Sequence, residues 1–83
     1  MESSPQLSDH ARRRMRQRGI TREQVEETIR NARPFRYFHA GEWKIGYYNS
    51  SGGIFVSQVK DTIVTVMAQV KAQYVERLRK GAP

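Results

Sequence analysis

The sequence predicts an α+β domain with its helices on one face of a four-stranded antiparallel sheet: two N-terminal helices pack on the sheet, and a C-terminal helix follows. Apolar residues recur at helical spacing before residue 33 and again after residue 69. Between them, β-rich segments are separated by short turns, which favours an antiparallel meander. The length of 83 residues suits one small domain. We expect a flexible segment over residues 1–7 and a single domain over 8–83.

The first predicted helix runs from Asp9 to about Arg18. Ser8 is a suitable N-cap, and Gly19 can end the helix because glycine readily adopts the left-handed conformation found there. The apolar content is limited to Ala11 and Met15, which lie one turn apart. We therefore expect a surface helix with one narrow buried stripe.

The second helix has a clear start at the capping box Thr21-Arg22-Glu23-Gln24, with Ile20 and Val25 placed as a hydrophobic staple. It ends at Asn31, before Pro34. Four strands are predicted next, over Phe35–His39, Trp43–Tyr48, Ile54–Val59 and Thr62–Met67. A third helix is predicted over about Val70–Lys80, from the helical spacing of its apolar residues.

Composition narrows the possible functions. The chain has 15 Lys and Arg against 8 Asp and Glu, a formal net charge of +7, and most of its cations are arginine. Arginine keeps its charge and matches phosphate oxygens, so a phosphate-bearing or otherwise acidic partner is favoured. The absence of cysteine excludes disulfides, thiolate metal sites and a cysteine nucleophile. No apolar run approaches a membrane span, and the N-terminus lacks the apolar core of a signal peptide.

The strongest signal for a partner is a cluster of arginines. Residues 10–22 contain no acidic residue and six arginines: Arg12, Arg13, Arg14, Arg16, Arg18 and Arg22. Such a surface attracts nucleic acid by releasing counterions from the phosphates. The alternatives are a solvated arginine-rich helix and a surface for an acidic protein.

His10 is the first candidate for proton transfer, because an imidazole can act as a general base or acid near neutral pH. Arg14 lies four residues later and Arg18 one further turn on, so the three form one row along the helix. An arginine there could hold a phosphate while His10 moves a proton. A structural histidine near the helix start explains the spacing equally well.

The predicted sheet adds further candidates. Strand alternation places Lys44, Gly46 and Tyr48 on one face, predicted to be open, and assigns the opposite face to core residues Trp43, Ile45 and Tyr47. Ser57 and Thr65 are hydroxyls among apolar neighbours, so each needs a hydrogen-bond partner or a ligand, although ordinary strand residues are the simpler explanation. His39 is expected in a turn. The sequence has two histidines, no cysteine and no pair of acidic residues at metal-ligand spacing. We therefore expect no metal site and no cofactor.

Several segments together resemble a known family. They are His10-Ala11-x-x-Arg14-Met15-x-x-Arg18-Gly19-Ile20, Lys44-Ile45-Gly46-Tyr47-Tyr48, Ile54-Phe55-Val56, Ile63-Val64-Thr65-Val66 and Tyr74-Val75-x-x-Leu78. Over about residues 8–79 the sequence is similar to the DUF4258 type of small toxin domain. Such domains occur at the C-terminal tips of bacterial polymorphic toxins, including contact-dependent inhibition and Rhs-type effectors.

The resemblance implies the fold of the barnase, EndoU, colicin and RelE group, whose members generally cleave RNA, often tRNA, without a metal. In that chemistry the 2′-hydroxyl attacks the neighbouring phosphate. By position, His10 would be the base or acid, Arg14 and Lys44 would stabilise charge, and Tyr48 and Thr65 would orient the phosphate. RNA contacts are expected from Arg12, Arg13, Arg16, Arg18, Arg22 and, more weakly, Ser57.

The sequence thus leads to the hypothesis of a metal-independent RNA-cleaving toxin domain used in interbacterial competition. Such a toxin needs a neutralising partner, and the positive charge predicts an acidic immunity protein or antitoxin. The domain would be exported as the tip of a larger toxin and act in the target-cell cytoplasm, or be cytoplasmic as part of a toxin–antitoxin pair. The alternative is a non-catalytic nucleic-acid-binding or antitoxin-like module.

Overall fold

The structure, a computed structural model, describes residues 5–81 and contains three helices and five strands within that range. The helices are α1 (Asp9–Arg18), α2 (Arg22–Asn31) and α3 (Ala72–Arg79). The strands are β1 (Gln6–Leu7), β2 (Phe35–His39), β3 (Glu42–Asn49), β4 (Ile54–Val59) and β5 (Thr62–Met67). This is a mixed α+β architecture, as predicted, and the bounds of β2, β4 and β5 agree with the sequence prediction.

The sheet has five strands rather than four, in the order β1-β5-β4-β3-β2. Strands β2 to β5 form the predicted antiparallel meander, and β1 adds a parallel strand beside β5. Part of the segment predicted to be flexible is therefore a strand, and residues 1–4 of that segment lie outside the described range. Strand β1 has only two residues, too few to show an alternating pattern, and depends on pairing with Thr62 and Ile63.

The helix starts follow the predicted caps. The Ser8 side chain accepts a hydrogen bond from the backbone N–H of Ala11 at 3.0 Å, and Gly19 ends α1 with a φ of 69°. The Thr21 hydroxyl accepts from the N–H of Gln24, whose side chain accepts in return from the Thr21 N–H at 2.8 Å. These reciprocal bonds satisfy amide groups that have no partner inside α2.

Helices α1 and α2 cover one face of the sheet, named here the α1/α2 face. Its core is largely aliphatic and consists of Ala11, Met15, Ile20, Val25, Ile54, Val56, Ile63 and Val66, with Tyr47 packed against it. Ala11 and Met15 form the buried stripe of α1, and Val25 anchors α2. The narrow stripe predicted for α1 is confirmed, and it leaves most of that helix in solvent.

Helix α3 covers the opposite face, named here the α3 face, which corrects the expectation that all helices share one face. Phe55, Tyr37, Val70 and Val75 form its core, and Phe35, Tyr48, Met67 and Leu78 pack around them. The chain changes sides after β5 through Gln69, whose φ is 57°. Val70 is then held by its N–H bond to the Gly53 carbonyl at 2.8 Å. A positive φ at glutamine is rare and carries no sequence signal.

Candidate functional site

The outer surface of α1 is dense in positive charge. Because Ala11 and Met15 occupy the buried stripe, the remaining positions of the helix face solvent. Arg12, Arg13, Arg16 and Arg18 are exposed, as is Arg22 at the start of α2, while Arg14 is half-buried beside the stripe. The predicted arginine cluster is thus present as a surface, which we name the α1 cationic surface.

Acidic neighbours do little to neutralise the α1 cationic surface. Asp9 lies 3.8 Å from the Arg12 guanidinium, and Glu26 lies 3.3 Å from that of Arg22. Both pairs are solvent-exposed and contribute little energy. Within residues 5–81, Arg13 and Arg16 form no ion pair. The surface therefore keeps its capacity to bind an anion.

Helix α2 carries more acidic side chains than α1. Its outer surface carries Glu23, Glu26 and Glu27, which line a shallow depression together with Thr21, Gln24 and Arg30. Arg22 and Arg30 belong to the same helix and offset two of these three carboxylates, so α2 has little net charge and is less favourable to an anion than α1. The division of charge between the two helices limits where a polyanion can lie on the α1/α2 face.

His10 is exposed in the first turn of α1, within the α1 cationic surface. Arg14 is one turn further along, so the structure brings together the imidazole and one of the cations that the sequence pairs with it. Arg18 continues the row at the end of the helix. This arrangement suits contact with successive phosphates along the helix.

The other predicted site residues lie on strands. Ser57 pairs with Thr65 across β4 and β5, and the Ser57 Oγ is 2.7 Å from the Tyr37 hydroxyl on the α3 face. Tyr37 in turn is the register partner of Lys44, which is half-buried. Lys44 and Ser57 are therefore neighbours of one buried phenol, and Thr65 lies beside Ser57; we name these four residues the Tyr37 cluster.

The Tyr37 cluster is closed rather than open. Tyr37 and Ser57 are 5% and 3% exposed, so the Ser57 hydroxyl that was expected to contact RNA is instead buried against a phenol. Burial raises the pKa of the Tyr37 phenol; the Ser57 hydrogen bond lowers it, and nearby Tyr74 raises it further. The net shift keeps the phenol neutral well into the alkaline range.

Gly46 and Tyr48 were predicted to lie on an open face of the sheet, but this face is covered. A Cβ on Gly46 would lie 2.7 Å from the Phe35 ring and 3.0 Å from that of Phe55, so the gap is filled by this chain's own aromatic rings. The Tyr48 hydroxyl donates to the Val70 carbonyl at 2.7 Å and so anchors the segment before α3. Both residues serve the packing of α3, whose position the sequence does not reveal.

The predicted catalytic residues fall into two groups on opposite faces of the sheet. His10 and Arg14 belong to α1, which packs over β5 and β1 on the α1/α2 face. Lys44 and Thr65 point to the α3 face. Because the backbone ladder lies between them, a single phosphate cannot contact both groups.

A known protein family matches most of the chain. The family model described as Domain of unknown function (DUF4258) matches residues 7–72. The chain belongs to the DUF4258 family. The match covers α1, α2 and strands β2 to β5, and it reaches the first residue of α3. No curated protein and no solved structure matches the chain.

The DUF4258 domain also has features that the sequence reasoning missed. Trp43, predicted to be core, is 58% exposed, and Phe38 beside it is 57% exposed. The sequence reasoning did not single out Tyr37. It lies two positions after Phe35 on β2, so both side chains point to the same buried face. The exposed pair lies where β2 and β3 extend beyond the helices, a limit set by tertiary packing.

Two observations concern ligand and membrane chemistry in the described part of the DUF4258 domain. Over residues 5–81, no three His, Asp or Glu side chains gather in a group able to hold a metal ion. None of the helices in that range is long and apolar enough to cross a membrane.

Proposed function

We propose that this DUF4258 domain binds RNA and cleaves it as a metal-independent endoribonuclease of the toxin type. The observation that carries the proposal is the α1 cationic surface, with the exposed imidazole of His10 among its arginines. A cationic helix binds phosphate, and a histidine beside the phosphate can transfer a proton.

The proposed reaction is transesterification by the 2′-hydroxyl. Its oxygen attacks the adjacent phosphorus and loses its proton to a base, while the bond to the 5′-oxygen breaks and that oxygen receives a proton from an acid. The products are a 2′,3′-cyclic phosphate and a free 5′-hydroxyl. His10 is the proposed base or acid, and Arg14 and Arg18 stabilise the charge that develops on the phosphate.

The Tyr37 cluster offers a second position for the chemistry. Lys44 is half-buried there and supplies a cation, and Thr65 supplies a hydroxyl. The accessible polar groups are fewer than on α1, since the Ser57 and Tyr37 hydroxyls bond to each other. We therefore place the scissile phosphate at His10 and treat Lys44 as the competing position.

In the proposed biological role, the domain cleaves tRNA or another cellular RNA in a competing bacterium. An acidic immunity protein or antitoxin neutralises it by covering the α1 cationic surface. A net charge of +7 speeds the encounter with such a partner through electrostatic steering.

A non-catalytic nucleic-acid-binding module is the second candidate. It is favoured by the position of His10 and most of the arginines on the solvent-exposed outside of a helix. Such a surface binds phosphates without excluding water from a reacting group.

Cleavage of total RNA in EDTA separates the candidates. Wild type is compared with His10→Ala, Lys44→Ala and, as a matched control on the same helix, Gln17→Ala. We expect His10→Ala to cleave roughly 10²- to 10⁴-fold more slowly while binding RNA normally, and Gln17→Ala to match wild type. Slower RNA cleavage by Lys44→Ala, together with normal cleavage by His10→Ala, would place the reaction on the α3 face. Intact RNA despite tight binding would contradict the nuclease and favour the module.

The toxin role has a separate test. Expression in a bacterium that lacks the partner is expected to stop growth, and His10→Ala is expected to restore it at equal protein levels. Normal growth with abundant wild-type protein would contradict the toxin role.

A further inference from the structure

The hairpin formed by β2 and β3 carries an exposed aromatic patch. Phe38 and Trp43 are register partners, and their rings meet edge to face with centroids 5.4 Å apart. The guanidinium of Arg36 lies 5.2 Å from the centre of the Trp43 ring. Phe38 and Trp43 nevertheless remain 57% and 58% exposed to solvent. We name Arg36, Phe38 and Trp43 the hairpin patch.

The hairpin patch and the start of α1 lie on the same side of the sheet. Trp43, Ile45 and Tyr47 point to the same face of β3, because they are two positions apart. Tyr47 packs into the core beneath α1 and α2. Arg36 and Phe38 are the register partners of Ile45 and Trp43. All three members of the hairpin patch therefore face the side on which α1 presents His10.

They also lie at the same end of the sheet. The β2–β3 turn closes beyond the pair His39 and Glu42, and the β4–β5 turn closes beyond Val59 and Thr62. The Ser8 N–H donates to the Ile63 carbonyl, so α1 begins beside the first residues of β5, the strand that follows the β4–β5 turn. Three strand spacings separate β1 from β3, a lateral distance of about 14 Å.

We propose that the hairpin patch stacks unpaired bases of the RNA strand whose backbone the α1 cationic surface binds. Single-stranded nucleic acid is commonly bound by this combination of a cationic track and exposed aromatic faces. The inference rests on the proposed function and adds to it that the substrate is single-stranded near the cleaved bond.

The charges around the hairpin patch favour RNA over a protein partner. Arg36 supplies a cation at the ring, and Lys60 stands exposed in the turn between the hairpin and α1, next to Asp61. The carboxylates of α2 make the middle of this side less favourable for phosphates than the α1 cationic surface. A strand leaving α1 is therefore directed along the end of the sheet, over the Lys60 turn, towards Trp43.

Trp43 is the one tryptophan of the chain, so its fluorescence reports directly on stacking. The probe is a single-stranded 2′-O-methyl oligoribonucleotide, which has no 2′-hydroxyl to attack and is not consumed. We expect saturable quenching of Trp43 emission, and no quenching by an abasic oligonucleotide of equal length. By fluorescence anisotropy of the labelled probe, Phe38→Ala and Trp43→Ala should bind roughly 5- to 100-fold more weakly.

The matched control is Tyr74→Ala, which removes the other large exposed aromatic ring, on α3 at the opposite face. It should bind the probe as wild type does, and far-UV circular dichroism checks that each variant is folded. Trp43→Phe should retain most of the affinity, because phenylalanine also stacks on a base.

The outcomes separate this inference from the proposed function. Tight binding with unchanged Trp43 emission and unaltered affinity in Phe38→Ala overturns the stacking role and reassigns the hairpin patch to a protein partner. Quenching together with intact natural RNA supports the stacking role and contradicts only cleavage. Absence of binding to any oligonucleotide contradicts both.

Discussion

The two faces of the sheet are packed with different chemistry. Under α1 and α2 the core is mainly aliphatic, whereas under α3 aromatic rings and a hydroxyl pair pack together with Val70 and Val75. The rings of Phe35, Tyr37 and Phe55 lie within 5.6 to 6.2 Å of one another, and the Tyr37 and Ser57 hydroxyls are bonded inside them. Aliphatic packing tolerates small rearrangements, but a buried polar pair requires both partners.

This difference has a functional counterpart. The aliphatic core needs only Ala11 and Met15 from α1, which leaves the rest of that helix available for charge. On the α3 face, polar groups are used to hold the fold together, and none of the buried side-chain polar atoms in residues 5–81 lacks a partner. Polar residues in the two regions therefore have different roles, and the following predictions test that division.

The largest expected effect comes from Phe55→Ala. Phe55 is 2% exposed and contacts three other rings, so truncation should cost about 3–5 kcal/mol of the free energy of unfolding. Val56→Ala, one residue along on the opposite face, removes fewer atoms and should cost less. Urea denaturation of the two variants measures both. Equal losses of unfolding free energy in the two variants would contradict a larger contribution from the aromatic core.

Gly46→Ala should destabilise by about 1–3 kcal/mol through overpacking, because the new methyl group would meet the Phe35 and Phe55 rings. Gly52→Ala is the matched control, since its added methyl group has ordinary contacts with Ile54 at 3.8 Å. Thermal unfolding by circular dichroism compares them. A variant at Gly46 as stable as wild type would show that the rings move aside freely.

Tyr37→Phe and Ser57→Ala should each cost about 1–3 kcal/mol, because each leaves one buried hydroxyl without its 2.7 Å partner. The double variant should cost clearly less than the sum of the two. A double-mutant cycle in urea gives the coupling energy. Strict additivity would mean that the pair does not interact.

Alkaline pH should weaken the domain through Tyr37. Because burial raises the pKa of this phenol, an unfolded Tyr37 ionises first, and stability falls as pH rises from about 10 towards the pKa of the folded state. Denaturant midpoints at successive pH values measure the slope. The stability of Tyr37→Phe should fall less steeply with pH. Part of the slope should remain, because burial also raises the pKa of Tyr47.

The smallest effect on stability is expected on α1. Arg13 is exposed and forms no ion pair within residues 5–81, so Arg13→Ala should leave the unfolding midpoint unchanged. It should nevertheless weaken RNA binding and reduce the slope of log affinity against log salt by about one. Binding measured over a salt series checks this. An unchanged slope would place the phosphates away from Arg13.

Local signals predicted most of the elements and part of the candidate site. The Ser8 cap, the Thr21 capping box and the alternation of β4 act over a few residues, and the structure reproduces them. The exposure of the α1 arginines also follows from one apolar stripe. Strand β1 was missed because its partner is 56 positions away along the chain, at Thr62.

The alternation of side chains identified which β3 residues share a face. It did not show which part of each face is covered by other elements and which part is open to solvent. Gly46 was predicted to be accessible and is covered by Phe35, while Trp43 was predicted to be core and is exposed. Both errors have the same origin, since the coverage of a sheet depends on where helices dock. That docking is decided by contacts between residues distant in the sequence.

By itself, the sequence determined the strand meander, the capped helices and a positive charge concentrated in one helix, because each depends on spacing or composition. Only the tertiary structure decided that α3 crosses to the opposite face, since that path requires a left-handed turn at Gln69 and the Val70 hydrogen bonds. That crossing covers Tyr37 and Ser57, whereas the docking of α1 on the face opposite Lys44 separates Lys44 from His10. The docking of helices on both faces thereby divides one predicted site into two surfaces.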